Sequence, residues 1–192
     1  MIALINYQAG NTRSVQNALQ RLGLKSVVTD EADVIRSADH VIFPGVGEAG
    51  SAMTYLREKE LDRLLPELTQ PFLGICLGLQ LMCRYSEEGD VEGLGIFDLE
   101  VKHFPRKGTI PHMGWNNFRE VRGPLFDGLS PADDMYFVHS YYAEIGPDTA
   151  AVTDYLIPFS AALRRDNFMA VQFHPEKSAA AGRRLLQNFL SQ

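Results

Sequence analysis

Cys76 lies in Gly74-Ile75-Cys76-Leu77-Gly78, where the apolar run PFLGI gives way to LGLQLMC. A cysteine at a sharp strand-to-helix turn, with glycine two residues away on each side, has the spacing of a nucleophile elbow, because strand and helix backbones approach closely there. The first turn of such a helix also aims unpaired N–H groups at the sulfur, and its dipole attracts negative charge. A thiolate nucleophile needs a base, and the base needs an orienting group. Phe173-His174-Pro175-Glu176 offers both. His174 ends the apolar strand AVQF, and in extended backbone a residue two further on points to the same side, which brings the Glu176 carboxylate to the ring. The spacing thus predicts a Cys76-His174-Glu176 triad. Pro44-Gly45-Val46-Gly47, after the apolar VIF, is a candidate oxyanion loop. Its N–H groups and that of Leu77, next to the nucleophile, would face the negative oxygen of a tetrahedral intermediate. Each block alone also has an ordinary reading: a buried thiol, a surface histidine beside a solvated glutamate, a strand-ending turn.

These blocks must be carried by elements that end in one place. Short apolar runs at residues 2–6, 26–29, 40–43 and 72–75 alternate with amphipathic stretches. One has Val15, Ala18, Leu19 and Leu22 at helical spacing and stops at Gly23; another runs on through Met53, Leu56, Leu61, Leu64 and Leu65. This alternation predicts an α/β fold: a mostly parallel central sheet with helices on both faces, whose active sites collect beyond the carboxyl ends of the strands. From about residue 96 the texture becomes strand-rich, with MYFVHSYYAEI, TAAVTDY, and FSAALRR and FMAVQF joined by a tight turn at Asp166-Asn167. Antiparallel additions in the C-terminal half are expected, then a last helix over residues 179–190. LGLQLMC places Cys83 on one helix with Cys76. With no repeat and no linker, residues 1–192 are expected to form one domain.

The 192 residues are 45% apolar and 22% charged, which suits a compact globular domain. A net charge of −6, from 18 basic against 24 acidic residues, provides no basic stripe for phosphates, so no nucleic-acid partner is expected. No apolar run approaches the roughly 18 residues that span a bilayer. The start, MIALINYQAG, has neither a basic n-region nor a cleavage site, so no membrane partner and a cytoplasmic location are expected. Two cysteines are too few for a disulfide scaffold, and histidines 40, 103, 112, 139 and 174 are scattered with no HExxH, so neither a metal site nor a cofactor is expected.

PGVG, GICLGLQ and HPE, in this order and spacing across most of the chain, resemble the class I (triad) glutamine amidotransferases. That resemblance implies a flavodoxin-like fold in which Cys76 attacks the side-chain carboxamide of L-glutamine, His174 protonates the departing ammonia and Glu176 orients His174. It also places Gln80 on the glutamine pocket. PGVG in place of the commoner PGG, the run Pro111-His112-Met113-Gly114-Trp115-Asn116, YFVHSY and HPEKS resemble more narrowly the glutaminase subunits of imidazole glycerol phosphate synthases, of histidine biosynthesis. By that resemblance Glu88 holds the α-ammonium of glutamine, and backbone around Ser140 and Tyr141 completes the pocket. Trp115, Asn116, Lys177 and Asn11 face a heterodimer partner, a (β/α)₈-barrel cyclase subunit that receives the ammonia. Two positions depart from the pattern: Gln8 where many relatives have glycine, and Ala49 where an aromatic is common. The glutaminase of another synthase, such as anthranilate synthase, and a stand-alone thiol hydrolase of the same architecture share the triad and remain alternatives.

Overall fold

The computed structural model describes residues 1–7 and 11–192. The first half runs β1 (Ile2–Ile5), α1 (Thr12–Arg21), β2 (Ser26–Thr29), α2 (Ala32–Arg36), β3 (His40–Gly45), α3 (Ala49–Glu58), α4 (Leu61–Leu64), β4 (Phe72–Cys76) and α5 (Leu77–Met82). The second half runs β5 (Cys83–Ser86), β6 (Val91–Glu92), β7 (Phe97–His103), β8 (His112–Asn116), β9 (Glu120–Val121), β10 (Met135–His139), β11 (Tyr141–Ala143), β12 (Thr149–Tyr155), β13 (Ile157–Arg165), β14 (Phe168–Val171) and α6 (Ala179–Leu190).

The large sheet has the order β2-β1-β3-β4-β14-β13-β11-β7-β5-β6. Its first part, from β2 to β14, is parallel throughout, and β14 then turns antiparallel into β13. Both faces are covered, so the strands alternate between two cores. Ala3, Ile5, Val41, Phe43 and Phe72 pack under α3 and α4 with Met53, Leu56, Leu61 and Leu64. Ile2, Leu4, Ile42, Leu73 and Ile75 pack on the other side with Val15 and Leu19 of α1 and Leu185, Leu186 and Phe189 of α6. Each of the larger of these side chains contributes about 1.5–3 kcal/mol on leaving water.

Two expectations need correction. The amphipathic stretch from Met53 to Leu65 is not one helix: α3 stops at Glu58, and Glu60 takes a left-handed backbone (φ 56°) before α4 begins. Leu56 and Leu61, five residues apart, would fall on different sides of an unbroken helix, and the break lets both reach the core. Nor do the cysteines share a helix. Cys76 is the last residue of β4, and Cys83 opens β5, where it pairs with Phe97 of β7. That pairing is parallel, but β5 also pairs antiparallel with β6, Tyr85 opposite Glu92, so antiparallel structure begins earlier than residue 96. The sequence also gave no warning that β8 and β10 leave the main sheet and pair only with each other.

Candidate active site

Sheet register brings the three blocks together. β4 lies between β3 and β14, with Gly45 opposite Cys76 and Val171 opposite Ile75, so the glycine loop and the histidine flank the cysteine at the carboxyl ends of three adjacent parallel strands. Cys76 itself has φ 54° and ψ −108°, a conformation that costs a non-glycine residue about 1–3 kcal/mol and that persists only where the surroundings enforce it. The enforcement is visible in the glycines. A Cβ on Gly78 would lie 1.9 Å from the Phe43 carbonyl oxygen, and one on Gly74 would lie 3.0 Å from the Gly78 carbonyl carbon. Helix α5 thus crosses directly over backbone.

His174 is fully buried, and its Nδ1 lies 2.8 Å from Glu176 Oε1. The contact is the expected one, but the backbone is not: after His174 the chain enters a 3-10 turn, Pro175–Lys177, so the carboxylate arrives by curling back and not by extended alternation. Nε2, the ring's other nitrogen, is buried with no hydrogen-bond partner. Burial opposes a charge on this ring, yet the Cys76 sulfur and the Glu176 carboxylate outweigh it and raise the His174 pKa to about 10. Such a ring keeps its proton near neutral pH and so can serve as the acid in the reaction, with Nε2 as the nitrogen not taken by Glu176. Asn11, expected on the partner face, directs its side-chain amide to Glu176 Oε1 at 2.5 Å and braces the carboxylate. Gln8, Ala9 and Gly10 lie outside the described residues.

A cavity of about 320 Å³ opens beside Cys76. Val46, Gly47, Leu77, Gln80, Glu88, Ser140 and Tyr141, each singled out from the sequence, line it together with His139. Its size is at the small end for ligand pockets and suits an amino acid. Glu88 is half-buried and accepts from the Ala49 backbone N–H at 3.1 Å; burial raises its pKa, so a cation entering the cavity would find an under-compensated carboxylate. A larger hollow of about 640 Å³ between α1 and α6 has Glu176 on its wall but not Cys76.

Two contributors escaped the sequence reading. Tyr7 donates to the Pro44 carbonyl at 2.6 Å and occupies the space beside Gly45, where a Cβ would come within 1.7 Å of its Oη. Gln172, fully buried, points its Nε2 at Cys76 Sγ at 3.7 Å. A polar residue inside the apolar AVQF, two before His174 and so on its side of an extended strand, was the available signal for Gln172. Of the residues expected to face a partner, Trp115 is 56% exposed and packs edge-on to Tyr136 at 5.9 Å. Lys177 is exposed and stands 5.8 Å over the same ring. Asn116, the last residue of β8 and partly buried, turns its side chain to the other face of the β8–β10 ribbon, towards His112 and the Asp154 carbonyl.

Residues 3–192 match the family model for glutamine amidotransferase class-I. The chain belongs to the class I glutamine amidotransferases. Among curated members, it is 57% identical to the imidazole glycerol phosphate synthase subunit HisH of Bacteroides fragilis (strain YCH46), over 98% of each chain. Identity is 45% to the protein of the same name from Yersinia pestis, again over 98% of each. A solved structure described as a glutamine amidotransferase superposes with a TM-score of 0.77 at 19% identity, covering 100% of this chain and 98% of the other. PurLQS from Thermotoga maritima gives 0.74 at 14%, over 99% and 97%. At such identities these superpositions speak for fold alone, and the flavodoxin-like amidotransferase architecture is the expected one.

Proposed function

We propose that this amidotransferase is the glutaminase subunit of an imidazole glycerol phosphate synthase, passing ammonia to a (β/α)₈-barrel cyclase subunit in histidine biosynthesis. The observation that carries the reading is the elbow cysteine between the PGVG strand and a buried, Glu176-bound His174 whose Nε2 has no other partner. The HisH name of the relatives at 57% identity supports the choice of synthase. Glutamine enters with its α-ammonium at Glu88. Cys76 passes its proton to His174 Nε2 as Sγ adds to the side-chain carboxamide carbon, and N–H groups of Gly45, Val46, Gly47 and Leu77 are the donors available to the oxyanion. The C–N bond breaks as His174 Nε2 delivers its proton to the leaving nitrogen. His174 then takes a proton from water, which hydrolyses the γ-glutamyl thioester to glutamate and regenerates the thiol. The same reading takes residues 1–192 as one domain working in the cytoplasm; among the described residues no helix is long and apolar enough to cross a membrane.

The test is glutamate release from glutamine, measured with and without a cyclase subunit and its phosphoribosylated nucleotide substrate. Release that is weak alone and rises with both is expected; strong release that ignores them would point to a stand-alone hydrolase. Trp115 and Lys177, both exposed, meet at the partly buried Tyr136 ring, and these residues are assigned to the docking face together with Asn116. Trp115→Ala and Lys177→Ala are each expected to weaken the complex by roughly 10-fold, as central aromatic and cationic contacts do, without lowering thermal stability. Titration calorimetry checks this, and unchanged affinity in both variants removes the assignment.

A further inference from the structure

Six consecutive hydrogen bonds join the proposed docking face to the sulfur. Asn116 Nδ2 donates to the Asp154 carbonyl at 3.1 Å and lies 3.2 Å from His112 Nε2. His112 Nδ1 is 3.0 Å from His139 Nε2, and His139 Nδ1 is 2.7 Å from the Tyr141 carbonyl on the pocket wall. That carbonyl also accepts from Gln80 Nε2 at 3.1 Å. The same nitrogen donates to Gln172 Oε1 at 3.1 Å, and Gln172 Nε2 reaches Cys76 Sγ.

Only one assignment of hydrogens fits. A carbonyl accepts, so His139 carries its hydrogen on Nδ1 and accepts at Nε2; His112 must then donate from Nδ1 and accept from Asn116 at Nε2. Gln80 is oriented by the Tyr141 carbonyl, and Gln172 by Gln80. Both rings are neutral in this scheme, and their surroundings agree. His112 is sandwiched between Tyr155 at 3.9 Å and Phe137 at 4.8 Å. Burial lowers its pKa to about 4, and burial lowers that of His139 to about 3. A buried polar series of this length is tolerated when every member is satisfied, and it then fixes one geometry.

We propose that the His112–His139 pair positions the glutaminase site: acting through the Tyr141 carbonyl, Gln80 and Gln172, it holds the pocket wall and the Cys76 sulfur in register with the surface at Asn116. Gln172 is the member in contact with the reacting atom, and the two histidines are positioning residues. The inference rests on the proposed function, since it takes Cys76 as the nucleophile and Asn116 as part of the docking face.

The experiment compares His112→Leu, His112→Asn and Gln172→Met in the complex with the cyclase subunit, reading kcat and KM for glutamine alongside synthesis from added ammonium salt. Leucine preserves apolar volume and breaks the series, whereas asparagine keeps an amide donor towards His139. Partner-stimulated kcat is expected to fall roughly 10-fold in His112→Leu and in Gln172→Met, with KM within about 2-fold of wild type, and to recover in His112→Asn. Ammonium-dependent synthesis stays at the wild-type level. Leucine and asparagine variants of equal activity would reduce the pair to packing. Nitrogen-15 NMR of the unmodified chain decides the matter independently of how the variants fold: both rings neutral at pH 7 with hydrogen on Nδ1 supports the series, and either ring charged or protonated on Nε2 alone overturns it. A wild-type complex that releases no glutamate defeats the parent reading instead, whatever the NMR result.

Discussion

Replacing Cys76 by alanine is expected to abolish glutamine-dependent synthesis by the complex, by roughly 10⁴-fold or more, while synthesis from added ammonium salt stays within about 2-fold of wild type. The size follows from the roles assigned. Asn11, Glu176 and His174 are arranged around one another, but only the sulfur can form the bond to the glutamine carbon, and no second thiol can replace it. Cys83, the other cysteine, is fully buried on β5, and burial raises its pKa far from the working range. The fold should survive, because Cys76 to alanine removes a single buried sulfur and relieves no packing, a change of about 1 kcal/mol. Measuring both activities on one purified complex separates the two halves of the mechanism. Loss of the ammonium-dependent reaction as well would mean that Cys76 serves the acceptor chemistry or the assembly, and the division of labour would be wrong.

How far the sequence reached is clearest in the contrast between local and long-range features. The elbow was legible because its signal is local: an apolar strand, a cysteine and two glycines within five residues, where only a close crossing explains the glycines. β2 and α6 were placed to the residue, since period and a clear stop coincide at their ends. What the sequence could not order was the sheet. That β14 pairs with β4, almost a hundred residues earlier, is decided by tertiary packing, and that pairing is what carries His174 to Cys76. The histidines show the same limit. His112 and His139 look scattered along the chain, yet antiparallel register sets them directly opposite each other in the β8–β10 ribbon. The contact between His174 and Glu176 was anticipated from extended geometry, but the ring and the carboxylate meet across a 3-10 turn that proline initiates. Two residues apart can meet in either conformation, so the spacing alone did not discriminate.

Gly78→Ala gives the sharpest test of the elbow, because two principles assign it opposite signs. Gly78 lies inside α5, and its φ is not in the left-handed range, so helix propensity by itself favours alanine by about 1 kcal/mol. Against this stands the approach to β3: a Cβ there would lie 1.9 Å from the Phe43 carbonyl oxygen and 3.0 Å from its carbon. Those atoms are backbone within the central sheet, so they cannot rotate aside, and either α5 lifts or β3 bends. Overpacking of this kind costs typically 1–3 kcal/mol and occasionally more, and the contact is closer than side-chain rearrangement can absorb, so the upper end applies. The net expectation is a loss of about 2–3 kcal/mol, or a fall in Tm of roughly 4–12 °C for a chain of this size. Gly23→Ala is the control with the causes exchanged: nothing lies within 4 Å of its Cβ, but φ is +78°, and the left-handed backbone costs about 1 kcal/mol. Thermal unfolding should therefore rank Gly78→Ala well below Gly23→Ala. Because α5 begins at the residue after the nucleophile, the folded fraction of Gly78→Ala should also lose glutaminase turnover, whereas Gly23→Ala, at the far end of α1, should keep it. A Gly78→Ala chain as stable as wild type would show that helix and strand are not in contact at this point, and the strained Cys76 backbone would lose the crossing that holds it.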